Sequence, residues 1–511
     1  MKRRVIAAML MGVMMAGAVG CGSKPTQESQ AEGQTPDTQQ SAGEEQTADT
    51  EQAAGGAQEV KPNYRTVTEA MDWGPAITKV ILDMQTTVDS ADLTPEAFRV
   101  SSERKYAGFD FSTGQTADMD LVAEREVTAV YVSDENGNPD EAGTYLTIEM
   151  KIGPENVEGS PFNYDFASGK NVYVETSYLI STAEGAVITA KDGSALTIQE
   201  TDAAGNTGNI NVIADSFDCS GTYTDEESGI ALTYASYVPE TAAEGKTPLI
   251  IWLHGAGEGG TDPTIAIMGN KVVNLATEEV QQYFGETGAE ILAPQTPTMW
   301  LDDGEGNYLD PKGTAYRSYY TEALMGLIEG YVAEHSEIDT NRIYIGGCSN
   351  GGYMTVNMLI EYPDYFAASY PVCEAYAVGW LDDSKISAIK DIPMWLTAAK
   401  TDGTVPVFKG SIGADYVSYN LELDENGEAI PLDDYSNALF ERLNDAGAAN
   451  VHYSLFENVV DTTGDYMNAD GSGAYEYMGH WSWIYTLNNE CVETIDGTET
   501  TVFEWLSQQS R

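Results

Sequence analysis

The stretch "RIYIGGCSNGGYMTVNML", Arg342 to Leu359, decides the fold because an apolar strand runs directly into a helical pattern within it. Gly347, Ser349 and Gly351 form a G-x-S-x-G sequence at this junction. Glycines allow a sharp strand-to-helix turn, and the residue between them is pushed out over the edge of the sheet. The stretch predicts Ser349 as a nucleophile, whereas Cys348, one position earlier, is expected to point elsewhere and to pack.

The chain around this turn alternates between buried strands and helices. Short apolar runs of the buried parallel type include "TPLIIWLHG", "AEILAPQ", "FAASYPVC", "IPMWLTAAK" and "VHYSLFEN". Helical patterns such as "YYTEALMGLIEGYVAEH" and "YSNALFERLNDAG" lie between them. This alternation predicts an α/β domain over residues 219–511, with a mostly parallel sheet flanked by helices and a ligand site at the carboxyl ends of the strands.

Residues 61–218 have a different pattern, in which apolar residues recur at every second position. The runs "AITKVILDM", "REVTAVYVS", "GTYLTIEMKI" and "NVYVETSYLI" each read as one half-buried strand. Turn-rich segments separate them, which predicts an all-β antiparallel sandwich. A chain of 511 residues is also longer than one core normally holds.

The first 60 residues indicate export and tethering. Residues 1–21 contain the basic start "MKRR", the apolar run "VIAAMLMGVMMAGA" and small residues before Cys21. This segment resembles a bacterial lipoprotein signal, which implies cleavage before Cys21, lipid attachment to it and anchoring to the membrane outside the cytoplasm, at the cell surface. Residues 22–60 lack aromatic and periodic apolar residues, so we expect a disordered linker there.

Charge and cysteine content exclude several classes of protein. The chain has 25 Lys and Arg against 81 Asp and Glu, a net charge of -56, which argues against binding to nucleic acid. Apart from Cys21 there are four cysteines, too few for a disulfide scaffold. We expect free thiols, although a bridge between Cys348 and Cys373 stays open.

A serine hydroxyl needs a base to take its proton, and the chain has only four histidines. His335 lies in a helix before the nucleophile strand, and His452 begins a later strand, so both are expected to be structural. His254 belongs to the loop after "LIIWL" and is expected to brace that loop. His480, which follows the last apolar strand in "YEYMGHWSWIY", is the predicted base.

The base in turn needs a carboxylate to hold its tautomer. Asp402 lies just past the carboxyl end of the second strand after the turn, in "AAKTDGTVPV". Asp391 precedes the same strand at its other end, and Asp461 follows the next one, so both fit less well. The order Ser349, Asp402, His480 is that of α/β-hydrolases.

An acyl-transfer reaction also requires hydrogen-bond donors for its oxyanion. One predicted donor is the backbone N–H of Asn350, directly after the nucleophile. The other is expected in the loop "HGAGEGG" at the end of a neighbouring strand, from Ala256 or else Gly257. This mechanism requires neither a metal nor an organic cofactor.

Aromatic residues near strand ends suggest a pocket for an acyl or aryl group. The candidates are Trp300 and Tyr308 after one strand, and Trp481 and Trp483 beside His480. Each of them is equally compatible with a place in the core. An acidic rim would disfavour anionic substrates, so neutral esters fit best.

Four stretches, "LHGAGEGG", "IDTNRIYIGGCSNGGYMT", "AAKTDGTVPV" and "GHWSW", resemble the α/β-hydrolase esterases grouped with poly(3-hydroxybutyrate) depolymerases and feruloyl or acetyl xylan esterases. The segment "DWGPAITKVILDM" resembles the immunoglobulin-like domain that precedes the catalytic domain in some of these enzymes. The resemblance implies a serine ester hydrolase that acts outside the cytoplasm, with Ser349, Asp402 and His480 as nucleophile, acid and base.

Acylated fragments of plant polysaccharide are the expected substrates. The first alternative is a serine peptidase of the prolyl oligopeptidase type, which shares the catalytic fold. Its usual propeller needs several blades of roughly 40 residues, for which the region before residue 219 is too short. The second alternative is a non-catalytic surface lipoprotein on a hydrolase scaffold, which would not need the complete set of site residues.

Overall fold

The computed structural model describes residues 57–110, 113–408, 410–412, 419–421, 425–426 and 434–511. The predicted signal of residues 1–21, with Cys21, and nearly all of the predicted linker of residues 22–60 lie outside them. Within the described ranges, none of the helices has both the length and the apolar character needed to cross a membrane.

The N-terminal part of the structure consists of β-strands and short 3-10 turns. Its strands are β1 Gln58–Val60, β2 Asn63–Met71, β3 Gly74–Asp83, β4 Phe98–Asp110, β5 Gln115–Glu124, β6 Val127–Ser133, β7 Tyr145–Met150, β8 Phe162–Asp165, β9 Lys170–Tyr173, β10 Glu175–Thr182, β11 Ile188–Thr189, β12 Ala195–Ile198 and β13 Asn206–Asn211.

Two of the sheets in this part pack face to face. One has five strands in the order β13-β2-β3-β7-β6, and the other has three in the order β10-β4-β5. One apolar core joins them, formed by alternate residues such as Val80 and Leu82 from the first sheet and Val100 and Ile180 from the second. The period of two thus buries one face of each strand, and the predicted sandwich is confirmed, except that β13 pairs with β2 in parallel and not antiparallel.

The run "NVYVETSYLI" differs from its prediction as a single strand. It divides at Val174 into β9, which pairs only with β8, and β10, which pairs with β4 in the sandwich. The N–H of Val174 donates to the carbonyl of Pro161 at 2.9 Å, outside either ladder. The hairpin β8–β9 thereby leaves the sandwich, for contacts described below.

The C-terminal part alternates strands and helices. Its strands are β14 Asp218–Thr224, β15 Ala231–Tyr237, β16 Thr247–Leu253, β17 Glu290–Gln295, β18 Ile338–Cys348, β19 Ala368–Val372, β20 Met394–Ala399, β21 Gly410–Ile412, β22 Tyr419–Leu421, β23 Val451–Phe456, β24 Val459–Val460, β25 Glu476–Tyr477, β26 Val492–Ile495 and β27 Thr498–Thr501. Its α-helices are α1 Pro263–Met268, α2 Glu278–Gln281, α3 Thr321–Glu334, α4 Asn350–Glu361, α5 Asp383–Ile389, α6 Tyr435–Asp445, α7 Trp483–Leu487 and α8 Val502–Ser507.

An eight-stranded sheet organises this part, in the order β14-β15-β17-β16-β18-β19-β20-β23. The six strands β17, β16, β18, β19, β20 and β23 run parallel to one another, while β14 and β15 are antiparallel additions at one edge. Central strands such as β16 are buried along their whole length, because large apolar clusters cover both faces of the sheet. The α/β-hydrolase architecture predicted from the alternation is confirmed.

A buried polar contact ties the two parts together at the turn between β2 and β3. Asp72, 7% exposed, accepts a hydrogen bond from Lys271 Nζ at 2.8 Å and another from Asn488 Nδ2 at 3.2 Å. The neighbouring Trp73 packs edge-on against Tyr466 with ring centroids 4.7 Å apart. The sandwich therefore rests on the hydrolase part through a charged contact shielded from water.

We expect Asp72→Ala to lower the free energy of unfolding by about 1–3 kcal/mol, because it leaves Lys271 and Asn488 without their shared acceptor. Urea unfolding followed by tryptophan fluorescence measures the change. The control is Glu126→Ala, which breaks an ion pair with Lys151 whose side chains are more than half exposed. That variant should change the value by less than about 1 kcal/mol. Equal losses in both variants would contradict a special role for the Asp72 contact.

Candidate active site

Ser349 lies in a strained turn between β18 and α4. Its backbone has φ 55° and ψ -113°, which costs a residue other than glycine on the order of 1–3 kcal/mol. The glycines on either side are required by space: a Cβ would lie 2.4 Å from the Leu253 carbonyl oxygen at Gly347, and 1.9 Å from it at Gly351. The Ser349 N–H donates to the carbonyl of Val372 at 2.9 Å, so the turn is anchored to strands on both sides.

His480 and Asp402 form a buried pair at the same edge of the sheet. His480, in the 3-10 helix Gly479–Trp481, is 1% exposed, and its Nδ1 is 2.8 Å from Asp402 Oδ2. The other carboxylate oxygen accepts the N–H groups of Thr404 and Val405, each at 2.8 Å. Because an ionised carboxylate only accepts hydrogen bonds, Nδ1 donates to Asp402, and Nε2 is the nitrogen left to exchange a proton with a substrate or nucleophile.

Ser349 and His480 lie on either side of the end of β19. Ser349 is bonded to Val372, and the next residue, Cys373, has its Sγ within 4.8 Å of the ligand atoms of His480 and Asp402. In the described part of the chain, no hydrogen bond joins Ser349 Oγ to His480 Nε2, and Nε2 has no other partner there. The structure thus brings His480 and Asp402 into contact and places Ser349 on a nearby strand end.

The surroundings of His480 favour its protonated form. Burial is the largest single effect and lowers its pKa, but the charge of Asp402 and the contacts with Asp402 and Cys373 together raise it well above the ordinary value. Burial raises the pKa of the Cys373 thiol to about 11, so this side chain is a neutral neighbour at pH 7. Trp483 packs edge-on against the imidazole with ring centroids 5.7 Å apart.

His254 is fixed as a neutral side chain below the neighbouring loop. Its Nδ1 donates to the carbonyl of Gly255 at 2.6 Å, and its Nε2 accepts the N–H of Thr296 at 3.1 Å. Burial lowers its pKa to about 4, which agrees with this arrangement. With both nitrogens engaged, His254 has no free position from which to accept a proton.

The loop above His254 forms the 3-10 helix Ala256–Glu258 and packs on the turn at Ser349. A Cβ on Gly255 would lie 3.5 Å from Cys348 Sγ, and one on Gly351 would lie 2.7 Å from the carbonyl of His254. Among the hydrogen bonds of the described residues, none engages the N–H of Ala256, Gly257 or Asn350. The three predicted oxyanion donors are therefore available beside Ser349. The side chain of Asn350 is used elsewhere, since its Oδ1 accepts the N–H of Leu301 at 3.2 Å.

The four aromatic residues suggested for a pocket have different surroundings. Trp300 is fully buried and packs on His254 with ring centroids 5.1 Å apart, which places it in the core under the loop. Trp483 is 6% exposed against His480. Tyr308 and Trp481 are half-buried, so these two are the ones that keep part of the side chain exposed to solvent.

Among the residues that the structure describes, two groups of side chains bring potential metal-ligand atoms within 4.8 Å of one another. The first is formed by the site residues themselves, and an ion there would compete with the bond between His480 and Asp402. The second lies at the amino end of the parallel strands, where His335 Nδ1 is 3.0 Å from Glu290 Oε2 in an ion-pair arrangement. The groups are Cys373, Asp402 and His480, and Glu290, His335 and Glu337.

Three residues that border this site are not predicted from the sequence. The sequence suggests Cys373 only as a disulfide partner, yet the four cysteines of the described residues are free and Cys373 faces His480. Glu258 belongs to the loop of the oxyanion donors, and its carboxyl is buried. Asn171, from the N-terminal part, bonds to that carboxyl at 3.0 Å. The available signals are the position of Cys373 directly after an apolar strand and that of Glu258 in the glycine-rich loop after another; Asn171 has no such signal.

Comparisons with known proteins agree with this architecture. Residues 63–197 match the model of the esterase Ig-like N-terminal domain, and residues 324–402 match that of the prolyl oligopeptidase family. A solved structure of a thermostable esterase is 26% identical with a TM-score of 0.65, and the similarity covers 88% of this chain and 100% of that one. A ferulic acid esterase structure is 12% identical over 47% of this chain and 89% of its own, with a TM-score of 0.32.

A curated relative, a probable chloroplastic glutamyl endopeptidase of Arabidopsis thaliana, is 24% identical over 158 residues. That region is 29% of this chain and 15% of the plant protein, so the chain matches only a small part of this relative's length. The match to the thermostable esterase, in contrast, includes both parts of the chain in one alignment. The chain therefore joins a domain that matches the esterase Ig-like N-terminal domain to a domain with the α/β-hydrolase fold, and its overall architecture is similar to that of the thermostable esterase.

Proposed function

We propose that this protein hydrolyses carboxylic esters with Ser349 as nucleophile, His480 as base and Asp402 as the carboxylate that orients the base. The observation that carries the proposal is the buried bond between His480 Nδ1 and Asp402 Oδ2, at 2.8 Å, at the sheet edge where the strained Ser349 turn also lies. A buried pair of this kind leaves Nε2 as a proton acceptor, which a serine nucleophile requires.

The reaction proceeds in two halves. Ser349 Oγ attacks the ester carbonyl carbon while its proton passes to His480 Nε2, and the negative oxygen is held by the N–H groups of Ala256 or Gly257 and Asn350. The intermediate expels the alcohol, which takes the proton from His480. Water then attacks the acyl-enzyme with His480 again as base, releasing the carboxylic acid and the free serine.

The proposed substrates are neutral acyl or aryl esters, such as acetyl or feruloyl groups on plant polysaccharide fragments. A net charge of -56 disfavours anionic substrates, and the half-buried Tyr308 and Trp481 offer apolar surface to an acyl or aryl group. We also propose that the protein acts outside the cytoplasm, tethered through a lipid on Cys21. The basic and apolar segments before Cys21 support this location.

A serine peptidase is the second candidate. The matches to the prolyl oligopeptidase family over residues 324–402 and to the glutamyl endopeptidase favour it. The family match concerns the part of the sheet around Ser349, where peptidases and esterases of this fold share their chemistry. The N-terminal sandwich, which matches an esterase domain, favours the ester as substrate.

We expect Ser349→Ala to lower ester turnover by at least about a thousandfold, because it removes the nucleophile and leaves only binding and the oxyanion donors. The measurement uses the form from Gly22 onward with p-nitrophenyl acetate and butyrate, methyl ferulate, and proline- and glutamate-peptide anilides. Cys348→Ala is the matched control, since it changes the neighbouring buried side chain, and it should retain activity. Cleavage of the anilides alone would support the peptidase, and turnover indifferent to Ser349→Ala would contradict the nucleophile assignment.

A second prediction concerns pH. His480 acts as a base only when neutral, and its pKa is raised above the ordinary 6.5, so kcat/KM should fall as the pH drops through a value higher than 6.5. Asp402→Asn removes the charge that raises this pKa. It should move the acid limb of the profile to lower pH and lower kcat by about ten-thousandfold, because the tautomer is no longer held.

The matched control for this experiment is Asp461→Asn, because Asp461 follows the neighbouring strand and its carboxyl binds its own loop through Thr463 and Gly464. It should leave the pH profile unchanged. The assignment of Asp402 would be wrong if Asp461→Asn shifted the pH profile and lowered kcat while Asp402→Asn left both unchanged.

A further inference from the structure

The hairpin β8–β9 of the N-terminal domain lies directly on the catalytic domain. Phe162, at its start, belongs to the apolar core of the hydrolase sheet. The Tyr173 hydroxyl is 3.1 Å from Thr264 Oγ1, and Lys170 Nζ donates to the carbonyl of Pro297. The hairpin thus lies outside the sandwich and covers the surface around the loop that precedes α1.

Within this contact, one side chain of the hairpin reaches the loop of the oxyanion donors. Asn171 Nδ2 donates to Glu258 Oε1 at 3.0 Å, and Glu258 is the last residue of the 3-10 helix that contains Ala256 and Gly257. The ring of Tyr164 borders the same loop, since a Cβ on Gly257 would lie 3.6 Å from it. The N-terminal domain therefore forms one wall of the oxyanion loop.

Glu258 is held on all sides and is 5% exposed. Its carboxyl faces the backbone N–H groups of Gly255 and of Glu258 itself, and its own carbonyl accepts Gln295 Nε2 at 2.8 Å. Two glycines leave space for the Glu258 side chain. A Cβ on Gly255 would lie 2.8 Å from Glu258 Oε2, and a Cβ on Gly269 would lie 2.8 Å from Glu258 Cγ. The bonds of Glu258 thus join both ends of the short loop to the hairpin.

We propose that Glu258 is a positioning residue for the oxyanion donors, and that Asn171 of the N-terminal domain holds it in place. The carboxyl takes up the loop N–H groups of Gly255 and Glu258 and leaves those of Ala256 and Gly257 without a competing acceptor. This inference rests on the proposed esterase function, because positioning of these donors matters only if an oxyanion forms.

The chemistry of the buried carboxyl supports a role beyond packing. A buried acid destabilises a fold unless its hydrogen bonds are made, and here they are made to the loop and to Asn171. Burial raises the pKa of Glu258 to about 7, although the hydrogen bonds from Asn171 and from the loop N–H groups, and the charge of His480, each lower it. Cys348 and Tyr164 also face it. In its ionised form, Glu258 favours the imidazolium that His480 becomes during attack.

The test uses the whole chain from Gly22 onward and three changes: Asn171→Ala, Glu258→Gln, and Glu258→Gln combined with Asn171→Asp. The combination exchanges donor and acceptor, so an amide at position 258 can donate to a carboxylate at position 171 while its oxygen still faces Gly255. Asn163→Ala is the matched control, because Asn163 lies on the paired strand β8 and, among the described residues, its side-chain amide donates to the carbonyls of Ala107 and Tyr164 and not to the oxyanion loop.

Four quantities are measured for each variant: kcat and KM for p-nitrophenyl butyrate, the inhibition constant of phenylboronic acid, and the thermal midpoint. The boronic acid forms a tetrahedral adduct with serine and therefore reports on the oxyanion donors. We expect Asn171→Ala to lower kcat about ten- to a hundredfold and to raise the inhibition constant of phenylboronic acid by a similar factor. KM should stay within about twofold of the parent value. Glu258→Gln should lower kcat, and the combined variant should recover at least half of that decrease on a logarithmic scale.

The inference is overturned if Asn171→Ala matches Asn163→Ala in kcat, or if its thermal midpoint falls while kcat and inhibition stay unchanged. Asn171 is half-buried, so its variants keep the test decisive even where Glu258→Gln does not fold. Absence of any ester turnover that depends on Ser349 in the parent enzyme would instead show that the proposed function has failed, and the inference would fall with it.

Discussion

The close contact between the turn at Ser349 and strand β16 is the constraint on which the rest of the site depends. The carbonyl oxygen of Leu253 approaches so near that no side chain fits at Gly347 or Gly351, and a Cβ on Gly352 would lie 2.8 Å from the Cα of Glu374. These contacts set the spacing of β16, β18 and β19 at their carboxyl ends. The strain of a positive φ at Ser349 is thereby held by the sheet, and the loops that follow these strands converge on one point.

Burial and neighbouring charge assign different roles to two histidines at this edge. His254 has both nitrogens bonded to the backbone and a pKa lowered to about 4, so it supports the loop as a neutral group. His480 is equally buried, but Asp402 raises its pKa and its Nε2 stays unbonded. The same side chain therefore becomes a structural brace in one place and a candidate base in the other, according to what its nitrogens face.

Sequence patterns predicted the elements well because burial imposes its period on each strand and helix. The candidate residues Ser349, Asp402 and His480 could be chosen by position, since in a parallel sheet the carboxyl ends of the strands meet at one edge. Alternation says which face of a strand is buried but not which sheet it joins, so the division at Val174 was missed. The bond between Glu258 and Asn171 joins two domains across 87 residues of sequence, so the local sequence pattern around either residue does not predict it.

The hairpin β8–β9 also bears on the order in which the chain acquires its structure. The N-terminal domain has its own apolar core and is the first of the two to leave the ribosome, so it can fold before the hydrolase sheet is complete. The oxyanion loop, synthesised later, then closes against a surface that is already in place. A long-range contact that would be slow to form between two unfolded segments becomes the docking of a short loop onto a finished template.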